Sequence, residues 1–475
     1  MQRRSRRILW PVSELDSNIP FFQQLNIKEM KSYKLWSLVL AVTFLAACDK
    51  KLDLEPAQSI SESLALDNDE NVKSVLLGAY DALAADGLFG GDGMRDAELV
   101  GADGEIRWVG TFDAPRQIFN HQMIAENGDA LNMWEDAYNA INISNNVLEA
   151  LEVVNADDRA AVEGEARWIR AMAYFQVVRF FGQAYQAGGN NSQPGVPLVL
   201  RATRQIDEAS FVPRNTVEEC YTQILDDITK AKTLLPEDNG IRAGKYTAAA
   251  LAARVYLQMG RYAEARDNAN EVIGSGAYSL LSNYADLWNR EDNTNEDIYA
   301  VQISSQDFAQ ATLVVYYSIP AFGGRDGDIE IEQKHLDLYS AGDDRLDLHY
   351  SGNGAMRTGK WRNQYNNQSV IRLAEMYLIR AECNARLSTS VGATPAADYN
   401  AIHTRAGLPA INTVTLGDIL YERRLELAHE GHRIHDIKRL KGTADGLNWD
   451  DEKLLYPIPA RELEANTKLV QNEGY

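Results

Sequence analysis

From about residue 60 to residue 275 apolar side chains recur at three- and four-residue steps, a period that dictates packed amphipathic helices interrupted by loops rather than by strands. Leu131, Trp134, Tyr138, Ile141, Leu148 and Leu151 share one helical face, and residues 162–181 are apolar on most sides, which predicts a central helix. Residues 216–235 open on Asn215 or Thr216 as an N-cap, turn Ile224, Leu225 and Ile228 inward and stop at Pro236. Within this pattern Ala-x-x-Tyr recurs at Ala171/Tyr174, Ala253/Tyr256 and Ala374/Tyr377. A small residue lets paired helices approach and the aromatic fills the groove to the next pair, so each pair needs a neighbour to bury its face.

The fullest copy, Ala253, Tyr256, Gly260, Tyr262 and Ala265, has the spacing of a tetratricopeptide repeat, whereas the other two lack the turn glycine and are degenerate. Trp134, Trp168, Tyr174, Tyr256 and Tyr377 are expected in the core. Two regions break the helical period. Residues 86–128 are rich in glycine, and residues 277–365 mix aromatics with Asn, Asp and Gly around strand-like runs at Ile298–Ile303 and Thr312–Ser318. Long insertions in a helical body are functional or disordered, and the aromatic content argues against disorder.

At the front, Leu35 to Ala47 form an uncharged, mostly apolar run behind Lys31 and Lys34, too short to span a bilayer and followed at once by Cys48. Leu45-Ala46-Ala47-Cys48 looks like a bacterial lipobox, so residues 1–47 are expected to be removed and Cys48 to become a lipidated N-terminus. Met30 stands where a signal peptide starts, and residues 1–29 fit no targeting pattern. Residues 48–59 read as a tether and 60–475 as a single domain. Without residues 1–47, 40 Lys and Arg face 65 Asp and Glu, a balance that argues against nucleic acid and against an anionic membrane face as a second attachment. Cys220 and Cys383 are expected as buried free thiols, although a pairing stays open.

Several blocks then occur in a fixed order: Leu52-Asp53-Leu54-Glu55-Pro56, EARWIRAMAYF at 165–175, GKYTAAALAARVYLQMGRYAEA at 244–265, GAYSLLSNYADLW at 276–288, IRLAEMYLIRAEC at 371–383, RAGLPAI at 405–411, ERRLELAHEGHRIHDIKRL at 422–440 and YPIPARELEANTKLVQNEGY at the C-terminus. Together they resemble the SusD/RagB family of nutrient-binding outer-membrane lipoproteins of the Bacteroidetes, over nearly the whole chain after Cys48. The resemblance implies a mostly α fold, with about four tetratricopeptide-like helix pairs packed against a loop-rich, ligand-binding half that holds a few short strands. It implies a surface-exposed, non-catalytic protein that captures an oligosaccharide, or in other members a peptide, and delivers it to a SusC-like TonB-dependent outer-membrane barrel. Asp49 would direct inner-membrane retention under enterobacterial sorting rules; the resemblance points instead to the external face of the outer membrane.

The segment His429-Glu430-Gly431-His432-Arg433-Ile434-His435 invites a metal reading, but the first two histidines are three apart, with Gly431 between them, and a zinc protease needs them four apart on one helical face. No metal and no cofactor is expected from it. In the resembled family Glu430, Gly431, Arg433 and Asp436 form a structural signature, read as buried charge pairing. A glycoside hydrolase, the alternative from another class, needs two carboxylates roughly 5–5.5 Å or 6.5–9.5 Å apart, and no pair can be chosen among so many acids. A scaffold that holds another protein on its helices is a third reading. Sugar binding asks for an aromatic face beside Arg, Asn or Asp. Arg107, Trp108 and Phe112 offer that in the first irregular region. In the second, the candidates are Tyr317 (with Tyr316 on the opposite side of a strand), Phe322, Arg325, Trp361 and Asn363, with Tyr365, Asn366 and Asn367 close by. Trp108 and Trp361 lead, because tryptophan in a polar loop is hard to explain by packing.

Overall fold

The computed structural model describes residues 65–306 and 312–475. The leader, Cys48 and the tether lie outside the described residues. The helical period is realised as eight helices that stack in chain order: α1 (Asp69–Leu83), α2 (Gly128–Glu149), α3 (Ala156–Phe181), α4 (Val217–Leu234), α5 (Lys245–Gln258), α6 (Tyr262–Gly274), α7 (Leu373–Leu387) and α8 (Pro395–His403). Side chains close the helix starts: Asn68 caps α1, Asn127 caps α2, and Thr216 forms a capping box with Glu219 at the start of α4. Helix α4 ends ahead of Pro236, whose ring cannot continue it.

The eight helices form four pairs, α1 with α2, α3 with α4, α5 with α6 and α7 with α8, each pair packed on the next. Ala-x-x-Tyr falls on the first helix of the second, third and fourth pairs. Ala171, Ala253, Ala374 and Tyr174 are fully buried, and Tyr256 and Tyr377 are partly buried against the core. Helix α3 is central as expected, with Trp168, Tyr174, Phe175 and Phe181 all inside. Gly260 turns the chain between α5 and α6 at φ +69, and a Cβ there would sit 2.8 Å from that of Ala187. Cys220 and Cys383 are buried free thiols.

Two insertions leave this stack, one inside the first pair and one between α6 and α7. From the first comes β1 (Ile106–Trp108). The second supplies β2 (Asp297–Val301), β3 (Ile329–Ile331), β4 (His349–Gly352), β5 (Ala355–Thr358) and β6 (Gln368–Arg372). A four-stranded antiparallel sheet in the order β1-β3-β5-β4 joins the insertions, with Arg107 opposite Glu330 and Trp108 opposite Ile329. Strands β2 and β6 form a separate antiparallel pair, so the strand-like run at Ile298–Ile303 is a strand over most of its length.

The run at Thr312–Ser318 is not a strand. Thr312–Tyr317 is a short helix, closed by the Ser318 N–H donating to the Val314 carbonyl at 3.0 Å. A brief apolar run does not distinguish strand from buried helix by period, and here Leu313, Val314 and Tyr317 bury as one helical side.

Candidate functional site

Pairing of β1 with β3 brings the two irregular regions into one surface. Trp108, at the end of β1, lies 5.6 Å from Tyr316 between ring centroids, and Phe112 lies 6.3 Å from the same tyrosine, edge to face. Trp108 is only 6% exposed and Phe112 is 47% exposed, so the tryptophan backs the patch and the phenylalanine presents it. The Arg325 guanidinium covers one face of Phe112 at 4.1 Å, donates to the Thr111 hydroxyl at 2.7 Å and pairs with Asp328 at 3.3 Å. Behind Tyr316 lies the fully buried Arg95, 4.5 Å from its ring and held by Asp92, Asp96 and Asp129. Burial, with Asp92 beside it, pushes the Tyr316 hydroxyl up to about 12.

The remaining sequence candidates divide. Arg107 is exposed but paired across the sheet with Glu330 and with Glu332. Phe322 meets Tyr350 edge to face at 5.4 Å, with the Arg362 guanidinium 5.5 Å from one ring and 5.6 Å from the other. These three form a second aromatic and cationic group. Trp361 is 1% exposed and packs edge to face on Trp288. Asn363 organises its own loop, accepting from the Tyr365 N–H at 3.0 Å and donating to the Asn289 carbonyl at 3.4 Å. Tyr317 is fully buried. Of the Tyr316–Tyr317 pair it is therefore Tyr316 that borders the patch. The strand reading also set the two tyrosines on different sides but put Tyr317 forward; as a helix the run buries Tyr317 together with Leu313 and Val314. Arg95, Tyr350 and Arg362 carried no local signal, because they reach the aromatics only through tertiary contacts.

The 429–436 segment is a charge-paired joint. Glu430 meets Lys360 and Arg372, each at 2.7 Å; Arg433 meets Glu105 at 3.1 Å; Asp436 meets Arg423 at 2.8 Å and Arg439 at 2.6 Å. Gly431 adopts φ +80 and donates its N–H to Glu98 at 2.9 Å, as do His432 at 3.0 Å and Arg433 at 3.3 Å. Burial pushes the Glu98 carboxyl up to about 7 despite those three N–H groups. His432 turns toward Arg423, 3.4 Å away, and His435 lies edge-on to Phe180 at 5.2 Å, so the three histidines of this segment do not converge.

Comparison with known proteins agrees along most of the chain. Residues 51–257 match the SusD-like_3 family, described as "Starch-binding associating with outer membrane", and residues 349–454 match SusD_RagB, the "SusD family". SusD-like protein P2 of Formosa agariphila is 26% identical over 94% of this chain and 100% of its own length. Starch-binding protein SusD of Bacteroides thetaiotaomicron is 25% identical over 66% of this chain and 72% of its own. A crystal structure of a SusD superfamily protein from Bacteroides thetaiotaomicron superposes with a TM-score of 0.76 at 23% identity, covering 85% of this chain and 99% of that one, which establishes a shared fold. No helix among the described residues is long and apolar enough to cross a membrane.

Proposed function

We propose that this chain, which belongs to the SusD/RagB family, captures an oligosaccharide at the outer face of the outer membrane and passes it unmodified to a SusC-like TonB-dependent barrel. Lipidated Cys48 is the anchor in this reading, residues 1–47 are the removed leader and its upstream extension, residues 48–59 are the leash, and 60–475 form the binding domain. The observation that carries it is the half-exposed ring of Phe112, stiffened by the Arg325 guanidinium on one face and flanked by Tyr316. A sugar ring can lay its apolar C–H side on such a platform while the Thr111 hydroxyl, Arg325 and Arg107 meet its hydroxyls. Phe322, Tyr350 and Arg362 extend the contact to a longer chain. Trp108 supports the platform from below, and Tyr317, Trp361 and Asn363 shape the loops that present it. The starch-binding description of the family and of the SusD relative supports a glycan over a peptide.

Isothermal titration of the purified protein against a panel of soluble oligosaccharides tests this. A phenylalanine side chain buries roughly 200 Å², so covering the exposed 47% of Phe112 is worth up to about 2 kcal/mol at ~25 cal/mol/Å². Phe112→Ala is therefore expected to weaken binding of the best oligosaccharide about 5- to 30-fold, with an unchanged melting temperature. Unaltered affinity would move the site elsewhere. Binding of peptides with no glycan response would replace the substrate class, and release of new reducing ends would replace capture by hydrolysis.

A further inference from the structure

Three histidines from separate elements meet: His335 in the short helix Gln333–Leu336, His349 at the start of β4, and His429, eighty residues further on, in the turn after the helix Leu416–Glu426. One ring nitrogen from each lies within 4.8 Å of the other two. The ring centroids are 4.7 Å apart for His335 and His429, 5.7 Å for His335 and His349, and 6.3 Å for His349 and His429. His335 is 2% exposed and His429 is 3% exposed.

Their hydrogen bonding is incomplete in a patterned way. Neither ring nitrogen of His429 has a hydrogen-bond partner among the described residues, and neither does Nε2 of His349, whose Nδ1 faces the Leu346 carbonyl at 3.2 Å. A buried polar group left without a partner costs about 1–3 kcal/mol, and three such nitrogens gather in this cluster. His335 differs: its Nδ1 meets the Glu105 carboxylate at 2.9 Å, and its Nε2 lies 3.1 Å from the Tyr339 hydroxyl. A carboxylate on one imidazole nitrogen fixes the tautomer and leaves the other nitrogen basic, the usual outer arrangement around a metal-bound histidine. His429 also sits at φ +65, a strained conformation for a residue other than glycine and of the kind kept at ligand clamps.

We propose that His335, His349 and His429 bind a single divalent transition metal, zinc foremost, with the Tyr339 hydroxyl or a water completing the coordination. Imidazole donors suit zinc, three nitrogens leave the fourth tetrahedral position open, and no redox chemistry is required. Glu105, which also pairs with Arg433 and Arg424, holds the His335 ring from its Nδ1 side. The cation of Lys360 is already engaged by Glu430 and by the Ala428 carbonyl, each at 2.7 Å. A cleft of about 420 Å³ lined by Glu105, His335, Arg424 and His429 gives the metal access. The bound ion would tie the sheet built from both insertions to the 429–436 joint, so its role is structural. It is independent of which glycan the surface patch takes.

The test is zinc titration of the purified, chelator-treated protein, with metal content measured after dialysis and the melting temperature recorded with and without zinc. A single retained equivalent and a raised melting temperature are expected, together with a tetrahedral ligand-field spectrum when cobalt replaces zinc. His349→Ala and His429→Ala should abolish retention, and Glu105→Gln should weaken it about 10- to 100-fold. No retained zinc and no thermal shift in the wild-type protein would overturn the proposal, whatever the variants do. Retention undiminished in His429→Ala would overturn it equally.

Discussion

Glu426 is the carboxylate on which the loop-rich half and the last helix pair converge, and replacing it by glutamine isolates what buried charge contributes to this fold. The side chain is fully buried and accepts from Arg372 at 2.5 Å, from Arg345 at 3.4 Å and from Arg405 at closer range. Burial alone would raise its pKa; the guanidiniums of Arg405, Arg372 and Arg345 outweigh that and hold it well below the usual carboxylate range. Its contribution is therefore complete above the unfolded value near 4.5 and is lost only as pH falls through the lower folded value. Glu426→Gln keeps the shape and removes the charge. Breaking one partner of a buried ion pair costs about 3–5 kcal/mol, and at ~2.1 cal/mol/K per residue over roughly 400 residues that lowers the melting temperature by roughly 4–6 °C. Scanning calorimetry at pH 7 measures it. Arg405 also pairs with Glu296 at 2.5 Å, so the double variant Glu426→Gln/Arg405→Met should lose less than the sum of the singles by about 1–3 kcal/mol. A single-variant loss below about 1 kcal/mol, additive with Arg405→Met, would refute the view that this network holds the two halves together.

Asp86 is half-buried near Asp92 and Asp136, and burial followed by those charges pushes its carboxyl up to about 7. The folded chain then holds a proton that the unfolded chain has lost between pH 4 and 7, so wild-type stability falls as pH rises through that window. Asp86→Asn should be more stable than wild type by roughly 2–4 kcal/mol at pH 8 and equal to it below pH 4, and urea melts at both values that show no difference would contradict the assignment. At Gly431 an added Cβ would stand 2.9 Å from the Met94 Cα at a left-handed φ, so Gly431→Ala should cost about 2–4 kcal/mol, read as a lowered melting temperature, and an unchanged one would show that the joint is not strained there.

Much of the helical body was legible because its signals are local. The Thr216 cap, the stop before Pro236, the fully buried Trp168 and Tyr174 and the turn at Gly260 each follow from side chains within a turn or two of one another. The charge pairing around Glu430 and Asp436 was legible only as a family signature, since Lys360, Arg372 and Arg423 arrive from other elements. Tryptophan in a polar loop proved a weak guide to exposure. Trp361 sits among Asn and Arg in sequence yet packs on Trp288 inside the fold, and Trp108 is covered where Phe112 is not.

The sequence by itself determined the repeating helices, the places where two long segments must leave them, and the family to which these blocks point, because period, capping and small-aromatic spacing are read within a few residues. Only the tertiary structure decided which aromatics face outward and which titratable groups meet. Phe112 and Arg325 become neighbours because β1 pairs with β3, and His335, His349 and His429 converge because the second insertion folds under the C-terminal joint. Both meetings depend on contacts between segments eighty or more residues apart, about which a local pattern carries no information.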